Sequence, residues 1–230
     1  MFDPDVLLPD FWSILGAVPL TLAMAVTIFL CSTLAGSLFA FVEHRRIPVL
    51  RQLVIAWKVI FKGVPMVVVI FLAYYGLPPA VHYVASHLGM NAGAHSLPNE
   101  VIIIVALTAC VSAFQAEVVK GALNAFDSGQ SDAARSLGYT TPQLFRRVLF
   151  PQIIVSAIPD LANSFMVIMK ALSLAFAIEV VDIFAQAQLT AALNFYYLEA
   201  FAIAVVFYMV IAWVVTKVAD KIESTLRVRT

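Results

Sequence analysis

The fold class is decided by residues 14–42, which read ILGAVPLTLAMAVTIFLCSTLAGSLFAFV. This stretch contains no Asp, Glu, Lys or Arg, and it is longer than the roughly 20 apolar residues that cross a bilayer as an α-helix. The rest of the chain has the same character, because 62% of its 230 residues are hydrophobic and only 12% are charged. Soluble domains carry about 25% charged residues. The composition therefore predicts an all-α integral membrane protein, with residues 1–230 forming one transmembrane domain.

Four further stretches are long and apolar enough to span a bilayer as helices. Together with residues 14–42, the predicted spans are 53–76, 99–121, 152–183 and 200–219. The fourth of these is long and contains Pro159, which removes a backbone hydrogen bond and predicts a kink or an interfacial first turn. The sequence thus predicts five membrane-spanning helices.

The connecting segments alternate in their content of lysine and arginine. Residues 1–13, 77–98 and 184–199 contain none, whereas the segments 43–52 and 120–151 and the C-terminal tail contain several. Cytoplasmic loops of membrane proteins are enriched in these two residues. The pattern predicts that the N-terminus lies outside the cytoplasm and that the C-terminus lies inside it.

Three cations precede or enter the second predicted span. Arg51, Lys58 and Lys62 are spaced at i, i+7 and i+11, which places them on one helical face. They fit an interfacial stretch whose lysines reach the lipid headgroups, or a face that lines a transport pathway. The sequence alone leaves both interpretations open.

Several chemistries find no support in the sequence. No G-x-x-x-x-G-K-[ST] nucleotide-binding loop is present, so any ATP hydrolysis must come from another chain. No G-x-S-x-G or H-E-x-x-H pattern occurs either. Cys31 and Cys110 lie within apolar runs and fit small core residues. The net charge of zero does not suggest nucleic acid as a partner, and neither a cofactor nor a metal site is expected in this chain.

The segment of about residues 122–151 is the longest predicted cytoplasmic connection. Ser131 can cap a short helix, and Gly138 can end it in the left-handed conformation. Thr141 and Pro142 then provide the cap and the first residue of a second helix. A slim helix, a glycine stop and a second helix favour docking into a groove of a partner over a solvated loop.

This segment resembles the EAA motif of ABC importer permeases. The matching residues are Asp132-Ala133-Ala134, Gly138 and Val148-x-Phe150-Pro151, with the spacing of the motif and with conservative changes at three positions. The resemblance implies a coupling helix that seats in a cleft of a cytoplasmic ATPase. The implied docking residues are Asp132, Ala133, Ala134, Arg135, Gly138 and Tyr139.

Other motifs resemble the branch of that family that takes up polar amino acids. FKGVP at 61–65 is similar to its FRGTP signature, YYGLP at 74–78 to its YYGLP, and EVVKG at 117–121 to its EIVRG. The chain departs from the family at KALSL, residues 170–174, where K-x-T-S-L is usual, and at Glu179, where glycine is common.

The resemblance implies the type I ABC importer permease fold in the bacterial inner membrane. The implied partners are a second permease subunit in a homo- or heterodimer, a dimer of ATPase subunits that bind ATP and Mg²⁺, an extracytoplasmic amino acid-binding protein and membrane lipid. The chain itself is expected to be a transporter subunit rather than an enzyme.

A translocated amino acid needs protein groups that replace water at its ammonium and its carboxylate. Asn163 and Lys170 are seven residues apart, so both can face one pathway. In this hypothesis Lys170 attracts the carboxylate and Glu179 is available for the ammonium. The intramembrane candidates for the pathway are Gln115, Glu117, Asn163, Lys170, Ser173, Glu179 and Asp182.

Two of these residues also have structural interpretations. Lys170 could pair with an acid on a neighbouring span and only hold the bundle together, since an ion within the membrane needs a partner. Glu117 and Lys120, three residues apart, fit a structural pair or an element of a gate.

Two other classes of membrane protein remain as alternatives. A secondary transporter usually shows an internal repeat, and no repeat is evident here. A scaffold that transports nothing would leave the intramembrane Lys170 without a role.

Overall fold

The structure is built from helices. The computed structural model describes residues 4–89, 97–124, 129, 134 and 136–227, and no β-strand occurs among them. After a 3₁₀ turn at Pro4–Val6, the helices are α1 (Leu7–Leu15), α2 (Val18–His44), α3 (Leu50–Gly63), α4 (Met66–His87), α5 (Asn99–Asn124), α6 (Thr141–Leu144), α7 (Phe150–Leu172), α8 (Ile183–Asn194) and α9 (Tyr197–Arg227). A π-helical turn, Phe145–Leu149, joins α6 to α7, and a 3₁₀ helix, Ser173–Ile178, follows α7.

Five helical stretches of the described chain are long and apolar enough to cross a membrane. They are Leu7–His44, Met66–His87, Asn99–Leu123, Phe150–Ile178 and Tyr197–Leu226. The predicted all-α class and the predicted number of spans are therefore confirmed. The first, third and fifth spans lie where the sequence placed them, although each extends beyond its predicted bounds.

The second span was predicted at 53–76, and this prediction is wrong. The chain instead forms the separate helix α3, breaks at Val64, and begins the membrane-crossing helix α4 at Met66. Pro65 causes the break, because the residue before a proline is disfavoured in the α conformation. Val64 is accordingly extended, with φ −93° and ψ 134°.

The far end of α4 also differs from the prediction. The helix continues through Pro78 and Pro79 and ends at His87. Membrane helices tolerate proline where neighbouring groups satisfy the freed backbone carbonyls. A Gly-Leu-Pro-Pro sequence, which would end a helix in water, therefore does not end this one.

The fourth span was predicted to reach residue 183, and this prediction is also wrong. The apolar helix ends in the 3₁₀ helix at Ile178, and Glu179 then turns the chain in the left-handed conformation with φ 63°. The short helix α8 follows, within a segment that the sequence had assigned to an outer loop.

Asp182 is the reason that α8 begins where it does. Its side chain is fully buried and accepts a hydrogen bond of 2.9 Å from the backbone N–H of Ala185, as an N-cap does. The hydroxyl of Tyr208 donates to the second carboxylate oxygen at 3.2 Å. The backbone N–H of Ile183 donates to the hydroxyl of Thr21 at 3.1 Å. Asp182, one of the candidate pathway residues, thus joins α8 to α9 inside the protein, and the next residue, Ile183, joins α8 to α2.

Helix α5 lies at the centre of the bundle. It packs against α2, α3, α4 and α7, and 56% of its most apolar stretch is buried, compared with 11% to 33% in the other four spans. Its buried apolar side chains form much of the core, and they are Ile102, Ile103, Ala106, Leu107, Cys110 and Val111. The first, second and fourth spans contact this helix, whereas α9 packs against α1, α7 and α8.

The tightest approach in the core joins α2 to α5 at Gly36. A Cβ atom added at this glycine would lie 2.6 Å from Cβ of Gln115 and 2.8 Å from the backbone nitrogen of Ala116. Real Cβ atoms do not approach other atoms so closely, and one of the contacts is rigid backbone. The two helices can therefore pack at this distance only because residue 36 has no side chain.

We expect Gly36→Val to destabilise the protein by about 1–3 kcal/mol or more, because overpacking forces the two helices apart. Gly121→Ala on the partner helix α5 is the control, since nothing lies within 4 Å of a Cβ atom there. The control should be neutral or slightly stabilising, because alanine is preferred to glycine in helices by about 1 kcal/mol. Thermal unfolding in mild detergent measures both, and equal midpoints would contradict the proposed contact.

Candidate functional site

A network of five charged side chains ties the ends of α2, α3 and α5 together. The amine of Lys58 on α3 forms an ion pair with the carboxylate of Glu43 on α2 and lies 3.0 Å from Oε1 of Glu117 on α5. The amine of Lys120 lies 2.6 Å from the other oxygen of Glu43. Lys62 lies 3.6 Å from Oε1 of Glu117. Each carboxylate is therefore shared between two amines.

Burial divides this network into an inner and an outer part. The side chains of Glu43 and Lys58 are 6% and 9% exposed, whereas those of Glu117, Lys62 and Lys120 are 38% to 43% exposed. Burial alone would lower the pKa of the Lys58 amine, but its hydrogen bonds to Glu43 and Glu117 outweigh burial and raise that pKa. Lys58 is therefore charged at any physiological pH.

Two interpretations of the sequence are corrected by this geometry. Glu117 pairs with the two lysines of α3, whereas its neighbour Lys120 reaches Glu43, so Glu117 and Lys120 are not a pair with each other. Lys58 points into the protein and does not reach for lipid headgroups. Glu43 was not predicted as part of a site, because its partners lie on other helices and such pairs leave no regular spacing in the sequence.

A polar stripe runs along the surface of α7. Ser156, Asp160, Asn163, Val167 and Lys170 are all exposed, and their spacing of three and four residues places them on one face of the helix. This helix crosses the membrane as part of Phe150–Ile178. The predicted alignment of Asn163 with Lys170 therefore agrees with their exposure on one face. Asp160 and Ser156 were missed, although each stands at helical spacing from Asn163.

The other candidate residues on this segment, Lys170, Ser173 and Glu179, make few polar contacts within the described chain. Among the described residues, Lys170 forms no ion pair with an acid, so the interpretation as an intrachain structural pair finds no partner there. The hydroxyl of Ser173 donates to the backbone carbonyl of Lys170 at 2.6 Å. Glu179 is exposed at the left-handed turn that follows the 3₁₀ helix.

Gln115, by contrast, is fully buried between α2 and α5. Its amide nitrogen donates to the hydroxyl of Thr33 at 3.2 Å, and its side-chain oxygen has no hydrogen-bond partner within the described protein. Gln115 thus lies in the core at the Gly36 contact rather than on the exposed stripe of α7.

The EAA-like segment is described only in part. Asp132, Ala133 and Arg135 lie outside the described residues. Ala134 is buried, and its backbone carbonyl accepts a hydrogen bond of 3.1 Å from the N–H of Tyr139. Gly138 has φ +82°, as the prediction of a left-handed stop required, and nothing lies within 4 Å of a Cβ atom there.

The restart of the helix after this glycine is shifted by one residue from the prediction. Thr140, not Thr141, is the N-cap residue, and its backbone N–H donates to Oε1 of Gln143 at 2.9 Å. Pro142 occupies the second helical position, where a missing N–H is harmless because no intrahelical carbonyl is available to it. The order of glycine stop, cap and helix is nevertheless the predicted one.

The chain is similar in sequence to known membrane transport proteins. A family model described as "Binding-protein-dependent transport system inner membrane component" matches residues 32–228. The chain is 32% identical to the probable amino-acid permease protein YxeN of Bacillus subtilis (strain 168), over 97% of this chain and 96% of that protein. It is 33% identical to the probable amino-acid ABC transporter permease protein PatM of Vibrio harveyi, over 96% and 93% of the two chains.

Solved structures show the same architecture. A chain from the crystal structure of an amino acid ABC transporter with histidines matches with a TM-score of 0.81 and 25% identity, over 98% of this chain and 99% of that one. A chain of the inward facing MetNI methionine ABC transporter matches with a TM-score of 0.72 at 18% identity, over 95% and 98%. The second likeness concerns the fold alone.

The five-span fold and the EAA-like segment define the membrane permease of an ABC importer, a multi-pass and non-catalytic subunit. The chain belongs to the family of binding-protein-dependent transport system inner membrane components. The resemblance drawn from the motifs is thereby confirmed, and it is supported over a secondary transporter or a scaffold.

We expect Lys58→Met to destabilise the protein by about 1–3 kcal/mol, because it removes one of the two amines that hold the buried carboxylate of Glu43 and leaves only Lys120. Lys62→Met is the matched control, since it makes the same change on the same helix at an amine that is 38% exposed. Exposed ion pairs contribute about 0–1 kcal/mol. The two variants are compared by their unfolding in detergent, induced by heat or by denaturant. Similar losses would show that burial does not set the strength of this network.

Proposed function

We propose that this chain is the permease subunit of an ATP-driven importer that moves a polar amino acid across the bacterial inner membrane by alternating access. The observation that carries the proposal is the polar stripe of α7, which places ionisable side chains on the surface of a membrane-crossing helix. The relatives YxeN and PatM, which are described as probable amino-acid permeases, support the substrate class.

The stripe needs a cover other than lipid. A charged side chain at the centre of a bilayer costs about 2.5–3.5 kcal/mol on insertion scales, and Asp160 and Lys170 both lie exposed on α7. Five spans from one chain are too few to enclose a pathway. A second permease subunit, identical or closely related, therefore covers this face, and the two subunits form the pathway between them.

The stripe carries groups that suit both ends of an amino acid. An amino acid must exchange water for protein groups at its carboxylate and at its ammonium. The amine of Lys170 can bind the carboxylate, and the amide of Asn163 can donate and accept on the same face. Asp160 on the stripe and Glu179 beyond it supply carboxylates for the ammonium. Zwitterionic and polar substrates fit these groups better than apolar ones.

The charge distribution sets the orientation of the chain. Segments rich in lysine and arginine lie in the cytoplasm, so the N-terminus and α8 belong to the outer side and the EAA-like segment to the cytoplasmic side. On that side a dimer of ATPase subunits binds ATP and Mg²⁺ and receives the coupling segment at Gly138 and Tyr139, whereas Ala134 is buried within this chain and supports the segment from inside. An extracytoplasmic binding protein delivers the amino acid at the opposite end.

The ion network provides a mechanical link from the coupling segment to the spans. Lys120 lies near the end of α5, which leads into that segment, and it holds Glu43 on α2. Glu43 in turn holds Lys58 on α3, the helix that precedes the Pro65 break and α4. A displacement of the coupling segment by the ATPases therefore moves α5, α2 and α3 together.

We expect Lys170→Ala to raise the KM for amino acid uptake by roughly thirtyfold or more in proteoliposomes, because the truncation removes one partner of a desolvated charge pair. Val167→Ala is the matched control on the same exposed face of α7, and it should leave KM unchanged. Both variants should assemble with the ATPase. Normal uptake by Lys170→Ala in a fully assembled transporter contradicts the role of this stripe as the pathway.

We expect Gly138→Trp to abolish co-purification of the ATPase, because the added ring occupies the surface that docks into it. The site has room for a side chain, since nothing lies within 4 Å of a Cβ atom. Gly138→Ala shares the left-handed strain of about 1–2 kcal/mol without the bulk, and it should retain the ATPase. Retention by both variants, or loss by both, argues against docking at this glycine.

A further inference from the structure

The turn between α2 and α3 presents three arginines on the protein surface. Arg45, Arg46 and Arg51 are all exposed, and we call them the basic elbow. Arg46, with φ 51°, lies in the left-handed region. The backbone N–H of Arg46 donates to the carbonyl of Glu43 at 3.1 Å, and that of Arg51 donates to the carbonyl of Ile47 at 3.0 Å. These bonds hold the three arginines at one end of the bundle.

The charge of the basic elbow is not compensated by its own segment. Glu43 is the only acid between residues 41 and 60. Its side chain is 6% exposed and is occupied by Lys58 and Lys120. Within the described part of the chain, none of the three arginines forms an ion pair with an acid. The ion network thus draws the one available carboxylate inward and leaves the elbow positive.

Apolar side chains surround the same arginines. Phe41, Val49, Leu50 and Leu53 are between 48% and 66% exposed. The guanidinium carbon of Arg45 lies 5.3 Å from the centre of the Phe41 ring. A binding surface for a soluble anion needs no such apolar rim, and a surface for plain lipid needs no arginines. The combination suits a ligand with an anionic head and hydrocarbon chains.

We propose that the basic elbow binds the headgroup of an anionic phospholipid of the cytoplasmic leaflet, with the acyl chains against Phe41, Leu50 and Leu53. Guanidinium groups bind phosphate oxygens in bidentate geometry, and anionic lipids attract basic segments next to membrane spans. The bound lipid fixes the start of α3 at the membrane surface. Because α3 leads into the ion network and α4, the lipid holds the position of both.

The test measures lipid retained by the intact transporter. The complex is reconstituted in nanodiscs of phosphatidylglycerol and phosphatidylcholine in equal parts, extracted gently, and analysed by native mass spectrometry. The parent should retain phosphatidylglycerol in preference to phosphatidylcholine. In the triple variant Arg45→Gln, Arg46→Gln and Arg51→Gln, the ratio of retained phosphatidylglycerol to phosphatidylcholine should fall about a hundredfold. Each arginine contributes a factor of about five to this ratio.

A matched control removes three other exposed cations. The variant Arg146→Gln, Lys217→Gln and Lys221→Gln makes the same change in net charge elsewhere, and it should retain phosphatidylglycerol like the parent. Equal retention by the elbow variant and the control overturns the proposal. Loss of the ATPase from the elbow variant with full lipid retention also overturns it, in favour of a protein-docking surface.

Two further arms separate the possible ligands and the dependence on folding. Inorganic phosphate added to the parent should not displace the lipid, and displacement would assign the elbow to soluble anions. A second measurement needs only the parent protein, whose thermal stability should increase as phosphatidylglycerol replaces phosphatidylcholine. If its stability does not increase, the proposal is contradicted, whether or not the variant folds. Both leaflets of a nanodisc have the same composition, so these results do not depend on the orientation proposed for the chain.

Discussion

The close approach of α2 and α5 at Gly36 is the constraint on which the rest of the structure depends. Helices in lipid gain little from the hydrophobic effect and rely on tight packing, which small residues make possible. Because α5 packs against α2, α3, α4 and α7, its distance from α2 sets the positions of the other three as well. Burial of Gln115 against Gly36 is a consequence of that distance, and so is the reach of Lys120 to Glu43.

The sequence predicted the features that depend on local composition. Residues 99–121 and 200–219 were recognised because an apolar run without a break is sufficient evidence for a span, and Gly138 was recognised because left-handed backbone favours glycine. The second and fourth spans were misplaced because their ends depend on single residues. Pro65 divides the second apolar run into α3 and α4. The left-handed turn at Glu179 ends the fourth span before α8 begins. Pro78 and Pro79, by contrast, lie within α4 and do not end it.

The candidate site shows the same division between local and distant information. The alignment of Asn163 with Lys170 follows from helical spacing and could be predicted. The pairing of Glu43 with Lys58 and Lys120 joins residues that are far apart in the chain, and no periodicity records it. Asp182 was included among the pathway candidates because its bond to Tyr208, a residue of α9 far along the chain, leaves no pattern in the sequence.

The exposed stripe of α7 also has a consequence for the lipid around the chain. A single copy in a bilayer presents Asp160, Asn163 and Lys170 on the surface of a membrane-crossing helix. Lipid around such a surface thins locally and admits water, because an ionisable side chain is costly in the hydrocarbon core. In the assembly proposed above, covering the stripe removes this deformation, so the bilayer itself favours the assembled form over the single chain.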